Sequence, residues 1–122
     1  MVLGAQGIAT GNKHAALVCN DDELESSMVK AAKTSGDLLM PILFCPEFLK
    51  GEFTSEVADM KNTAKDRYAG SSNAAQFIYN HMTDFKGKWA HVDIAYPVHI
   101  GERASGYGVA LLLETLKANK DM

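Results

Sequence analysis

Hydrophobic positions along the chain change period several times, and each change predicts an element. Trp89, His91, Asp93 and Ala95 alternate with Ala90, Val92 and Ile94, the period-two pattern of a strand with one apolar face. Pro97 and Gly101 close off that strand, and Ser105 stands where an N-cap would start a helix. Val109, Leu112, Leu113 and Leu116 then share one helical face, with Leu111 on a neighbouring one, so a helix packed against a sheet is predicted. The loop between, Tyr96–Ala104, lies past the end of the strand, where open α/β sheets place their ligand crevice.

Upstream, residues 1–10 are apolar and glycine-punctuated without a helix-start signal, which predicts a buried strand. Gly4, Gly7 and Gly11 match neither the dinucleotide fingerprint nor a phosphate loop, so close backbone packing is their expected role. Residues 14–18 predict a second strand. Asn20 with Glu23 forms a capping-box variant, Leu24, Met28, Ala31 and Ala32 line one face, and Gly36 supplies the stop, giving a helix that covers a sheet. Residues 38–44, interrupted by Pro41, predict an edge strand or extended connector. A loop with one helical turn follows, then a short strand end over residues 57–61 and a polar surface loop. Ser71 or Ser72 is the expected cap of the next helix, with Ala74, Ala75, Ile78 and Met82 inward. Helices alternate with strands three times, so the fold class is α/β, a mixed, largely parallel sheet covered by helices.

Composition narrows the function classes. The 122 residues are 47% hydrophobic, enough for one small core. A net charge of −3 offers no basic field for nucleic acid or anionic membrane. No basic leader precedes the first apolar run, and none approaches the ~20 residues of a membrane span. Cys19 and Cys45 lack zinc-ligand spacing and are expected as buried, reduced thiols in a cytoplasmic setting.

Candidate chemistry is sparse. His91, Asp93, His99 and Glu102 could converge on one metal ion, since His and carboxylate groups on a strand and its following loop can share a ligand sphere. The competing expectation is a structural His91–Asp93 hydrogen bond. Asp59 and Lys61 are expected as an ion pair, Arg67 and Arg103 as surface or interface pairs, and Trp89 and Tyr107 as core or subunit-contact aromatics. No serine follows a nucleophile-elbow pattern.

The stretch WAHVDIAYPVHIGERASGYGVALLLETL resembles the C-terminal signature of the leucyl aminopeptidase, or cytosol aminopeptidase, family, and most its aminopeptidase-like subgroup. LGAQGIATG at residues 3–11 is similar to the segment that in the family follows a Thr-Leu-Thr-Gly-Ala motif, with Met1-Val2-Leu3 standing in its first three places. Residues 20–36, SEVADMKN at 55–62 and AGSSNAAQFI at 69–78 resemble further family segments.

The resemblance implies part of a zinc-exopeptidase-like catalytic domain, with residues 1–122 as its C-terminal sub-region. The family cleaves N-terminal residues from peptides using two divalent ions, Zn²⁺ or Mn²⁺, and assembles as a hexamer. Its metal ligands and Asn-Thr-Asp-Ala-Glu-Gly-Arg motif lie upstream of the region matched here, so this chain alone is expected to bind no ion and to be inactive. By resemblance, the backbone near Val2 and Gly4 would hydrogen-bond the peptide, and Ala104, Ser105 and Gly106 would line the pocket for the N-terminal side chain. The alternative is a truncated, non-catalytic paralogue that works as a structural or interaction module with a completing partner chain.

Overall fold

A computed structural model describes residues 4–121. The central strand, β1 (Ala15–Cys19), is buried along its whole length. It pairs in parallel with β2 (Leu39–Pro41) and antiparallel with β3 (Ala90–Asp93), giving a mixed sheet in the order β2-β1-β3. A strand covered on both faces has no polar row, which is why residues 15–19 run Ala-Ala-Leu-Val-Cys without alternation.

Helix α2 (Asp22–Ser35) packs Met28, Ala31 and Ala32 on Ala15, Leu17, Cys19 and Leu39. The last helix, α5 (Val109–Ala118), adds Leu111 to the same cluster and lies along α2. The opposite face, onto which Ala16 and Val18 project, carries α1 (Ala5–Thr10) and α4 (Gly70–Tyr79). A short helix α3 (Pro46–Leu49) runs into a 3₁₀ turn, Lys50–Phe53, and a small hairpin of β4 (His99–Ile100) and β5 (Arg103–Ala104) precedes α5.

Several expectations need correction, and the reasons are local. Residues 5–10 are helix rather than strand, and residues 1–3, including the Val2 position, lie outside the described residues. The four-residue spacing of Gln6 and Thr10 decides it. Their side chains meet at 2.8 Å on one helical face and both reach the His14 carbonyl. The cap of α2 is Asp21, which accepts from the Leu24 N–H at 2.8 Å. Asn20 instead ties Gly87 and the Trp89 N–H to the end of β1. Residues 57–61 form no strand, Val57 is 97% exposed, and Asp59 and Lys61 make no ion pair with each other.

Neither Ser71 nor Ser72 caps α4. Ala69 does so in a left-handed conformation (φ 49°), which places both serines inside the first turn, buried. Ile78 is partly exposed and Met82 lies past the helix end. Ser105 does not cap α5 either. That helix begins after Gly108, at φ 102°, and its first turn is capped from a distance: Asp37 accepts from the N–H groups of Gly108 and Leu111 at 3.0 and 3.2 Å.

The largest departure concerns the face of α5. Leu111 and Thr115 point inward, whereas Val109, Leu112, Leu113 and Leu116 are 66%, 60%, 55% and 60% exposed. The predicted stripe exists, but it faces away from the sheet.

Candidate active-site wall

The loop after β3 is held by buried polar groups rather than by apolar packing. Gln6, fully buried, accepts the Tyr96 N–H at 2.9 Å on Oε1, while its Nε2 donates to Thr10 and to the carbonyls of Gly11 and His14. One side chain thus joins α1, the start of β1 and the loop. Beside it, α1 approaches so closely that a Cβ on Gly7 would stand 2.6 Å from the Tyr96 ring. Asp93, the last residue of β3, accepts from the Ser71 hydroxyl at 3.0 Å and from the Ala95 N–H at 3.2 Å. The first turn of α4 and the strand end are therefore locked together.

Further along, the Ser105 hydroxyl donates to the Pro97 carbonyl and accepts from the Tyr107 N–H at 3.1 Å, and the Ser105 N–H donates to Val98 at 2.8 Å. The turn folds back on its own loop. Tyr107 fastens the far end, donating its hydroxyl to the Leu38 carbonyl at 2.7 Å. Burial pushes its phenol up to about 12.

Among the residues expected to line a peptide pocket, Gly4 sits at the N-terminal end of α1 with open space around it. Ala104 closes β5 opposite His99, and Ser105 and Gly106 (φ 77°) form the exposed turn that follows. The two sets do not share one cavity. Ser105 lines a cavity of about 380 Å³ with Lys13, Asp37, His99 and Tyr107, whereas Ala5 and Ile8, just after Gly4, line one of about 420 Å³ with Arg67, Ser71 and Ser72.

The alternative metal set is not assembled. His99 turns its Nδ1 to the Gly101 carbonyl at 3.1 Å, Glu102 is exposed, and Asp93 bonds Ser71 rather than His91. Among the described residues no three His, Cys, Asp or Glu side chains are placed to hold an ion. His91 packs on Trp89, ring centroids 6.0 Å apart, and burial pushes its imidazole below its ordinary value against the opposing pull of Asp93. Both cysteines are free, and burial raises the Cys19 thiol, so it is a packing residue and not an activated nucleophile.

Sequence reasoning missed Gln6, Asp37 and Ser71 as the residues that position the loop. Gln6 had one readable signal, an amide four residues before a threonine in an otherwise apolar segment. Asp37 and Ser71 had none, because their partners are 71, 74 and 22 residues away.

Comparison with known proteins decides what this arrangement belongs to. Residues 2–113 match the family model for the cytosol aminopeptidase family, catalytic domain. The chain belongs to the cytosol aminopeptidase family. A human probable aminopeptidase, NPEPL1, is 56% identical over 112 residues, which is 90% of this chain and 21% of that protein. Leucine aminopeptidase 1 of Caenorhabditis elegans is 43% identical over 88% of this chain and 23% of its own length. The apo leucyl aminopeptidase of Trypanosoma cruzi superposes with a TM-score of 0.89 at 50% identity, over 93% of this chain and 23% of that one. The chain spans about a fifth of the length of these relatives, as a C-terminal part of the cytosol aminopeptidase catalytic domain. That the relatives are aminopeptidases favours the enzyme reading over a non-catalytic module. Although this family is metal-dependent, the described residues do not offer the donor set of a two-metal centre. No helix among them is long and apolar enough to cross a membrane.

Proposed function

We propose that these residues form one wall of the catalytic domain of a two-metal aminopeptidase that releases N-terminal residues from peptides. The metal ligands, for Zn²⁺ or Mn²⁺, come from sequence outside these 122 residues, and no step of catalysis is carried by a metal bound here. The contribution of this chain is positional. Gln6, Ser71 and Asp93 hold the loop that starts at Tyr96, Asp37 and Tyr107 hold its return into α5, and the Ala104-Ser105-Gly106 turn lines the pocket for the substrate side chain. Backbone groups at Val2 and Gly4 hydrogen-bond the peptide. A rigid wall of this kind adds rate by holding the substrate in a reactive orientation and excluding water. The working enzyme is a cytoplasmic hexamer. The observation that carries the reading is the backbone agreement with a leucyl aminopeptidase, at half-identical sequence, over almost the whole chain.

The test is a chimera in which this chain replaces its counterpart in the Trypanosoma cruzi enzyme, assayed for chelator-sensitive hydrolysis of a leucine anilide. Retention of kcat/KM within about tenfold, a change of ~1.4 kcal/mol in transition-state stabilisation, is expected. A folded chimera without turnover overturns the proposal. Chelator-sensitive turnover by the 122 residues alone would overturn the external-ligand claim and return attention to His91, Asp93, His99 and Glu102.

A further inference from the structure

Gly7 stands in the middle of α1, where its φ is not positive and an alanine would favour the helix. Conformation therefore does not ask for a glycine here; closeness does. A Cβ at this position would lie 2.6 and 2.7 Å from Cε2 and Cδ2 of Tyr96 and 3.0 Å from its Cζ, nearer than side chains pack. The helix backbone and the ring are in direct contact.

Tyr96 is tied at its backbone. Its N–H donates to Gln6 Oε1 at 2.9 Å, on the same helix, and its carbonyl accepts the His99 N–H at 3.5 Å. The next two carbonyls along the loop, those of Pro97 and Val98, accept the Ser105 hydroxyl and the Ser105 N–H. A displacement of Tyr96 is thereby passed on to the Ala104-Ser105-Gly106 turn. The middle of the loop has room to follow, because Pro97, His99, Ile100 and Ser105 line a cleft of about 380 Å³ with Lys13 and Asp37.

The two proposed substrate contacts belong to different bodies. Gly4 is the N-cap of α1, and the 104–106 turn is carried by the loop. The geometry points to the Gly7–Tyr96 contact as the spacer between them, which fixes how large an N-terminal side chain the site accepts. This specificity role rests on the peptidase reading, whereas the coupling of Gly7 to the turn does not. Gly7 and Tyr96 are positioning residues, acting on the substrate through the turn. A methyl group added at Gly7 pushes the ring back by about 1 Å to ordinary van der Waals separation, and a displacement of that order is felt in discrimination between side chains. Bodies held further apart favour a larger N-terminal residue.

In the chimera, Gly7→Ala is expected to raise the ratio of kcat/KM for a phenylalanine anilide to that for an alanine anilide about fivefold or more, mainly through KM. In a Tyr96→Ala background the same substitution is expected to change that ratio by less than about twofold, since there is no ring to displace. An effect on folding alone lowers kcat for both substrates alike and persists without the ring. An unchanged ratio in an active chimera, or the same change in the Tyr96→Ala background, overturns the specificity role. The spacer itself is tested without turnover: in the ¹⁵N-labelled 122-residue chain, Gly7→Ala is expected to shift the Ser105 and Gly106 amide signals, and to leave them in place in the Tyr96→Ala background. Amides that stay in place on Gly7→Ala alone mean that the ring swings into solvent instead, and overturn the spacer. A parent chimera that folds without turnover overturns the peptidase reading and the specificity role with it, while the amide shifts still decide the spacer.

Discussion

Replacing Gln6 by leucine removes the side chain that ties α1 to the loop at Tyr96 while keeping its volume nearly constant. The substitution strands the Tyr96 N–H, which has Gln6 Oε1 as its acceptor at 2.9 Å, and takes the Nε2 donor away from the carbonyls of Gly11 and His14 at 3.0 and 2.6 Å. A buried polar group left without its partner costs about 1–3 kcal/mol. Gly11, His14 and Tyr96 are all exposed residues, so water replaces part of what each of these groups loses. The expected destabilisation is therefore about 1–2 kcal/mol, read by urea unfolding followed through the single tryptophan, Trp89. A loss below about 0.5 kcal/mol, the level of an ordinary surface substitution, would refute the assignment of Gln6 as the joint. Gln6→Glu gives a second reading by pH. It keeps an acceptor for Tyr96 but points a buried carboxylate at two carbonyls, so its folded-state pKa rises above the unfolded value. Stability of that variant is then greatest below the unfolded carboxyl pKa and is lost as pH rises through the folded one, a dependence the parent lacks at this position.

His91 is half-buried, and its imidazole is pushed below its ordinary value by desolvation, so the unfolded chain binds its proton more readily than the folded one. Stability should fall as pH drops from 6.5 towards the folded value, and His91→Leu should flatten that slope in urea midpoints measured across the window. The outward stripe of α5 predicts the opposite of a core response: Leu112→Lys and Leu116→Lys should each change the stability of the 122-residue chain by less than about 0.5 kcal/mol. A loss above about 2 kcal/mol in either would mean that the stripe is the buried face after all.

The strongly periodic or fully apolar elements were legible in the sequence: β1, β3, α2 with its Gly36 stop, and the short edge strand at Pro41. At the starts of α4 and α5, a side chain bonded across a long sequence separation has replaced a local signal. Ser71 had the right chemistry for a cap, but Asp93 claims its hydroxyl, and Ala69 takes the turn at a positive φ that no capping rule anticipates. Ser105 was likewise drawn into its own loop, leaving Asp37 to cap α5. The family was visible through the resemblance of residues 89–116, whereas the groups that hold the loop after β3 in place were not. A capping signal reads three or four residues ahead, and these contacts span tens of residues.

The direction of α5 shows what a hydrophobic period can and cannot report. Leu111 and Thr115, four residues apart, face α2, and Thr115 is a poor choice for a helix whose only apolar contact is inward. Four larger apolar residues lie on the other side. The period states that a face will be buried; it does not state by which residues. Ile8, Phe48, Val57 and Tyr68, all at least 77% exposed, repeat the pattern elsewhere on the surface. A chain this small does not ordinarily leave so many large apolar groups in water. Its relatives are about five times longer than the region matched, so in them the same positions have several hundred further residues to pack against. The stripe read from the sequence and the exposed face of the structure are then one observation: α5 is covered by α2 on one side and turns its apolar stripe outward on the other.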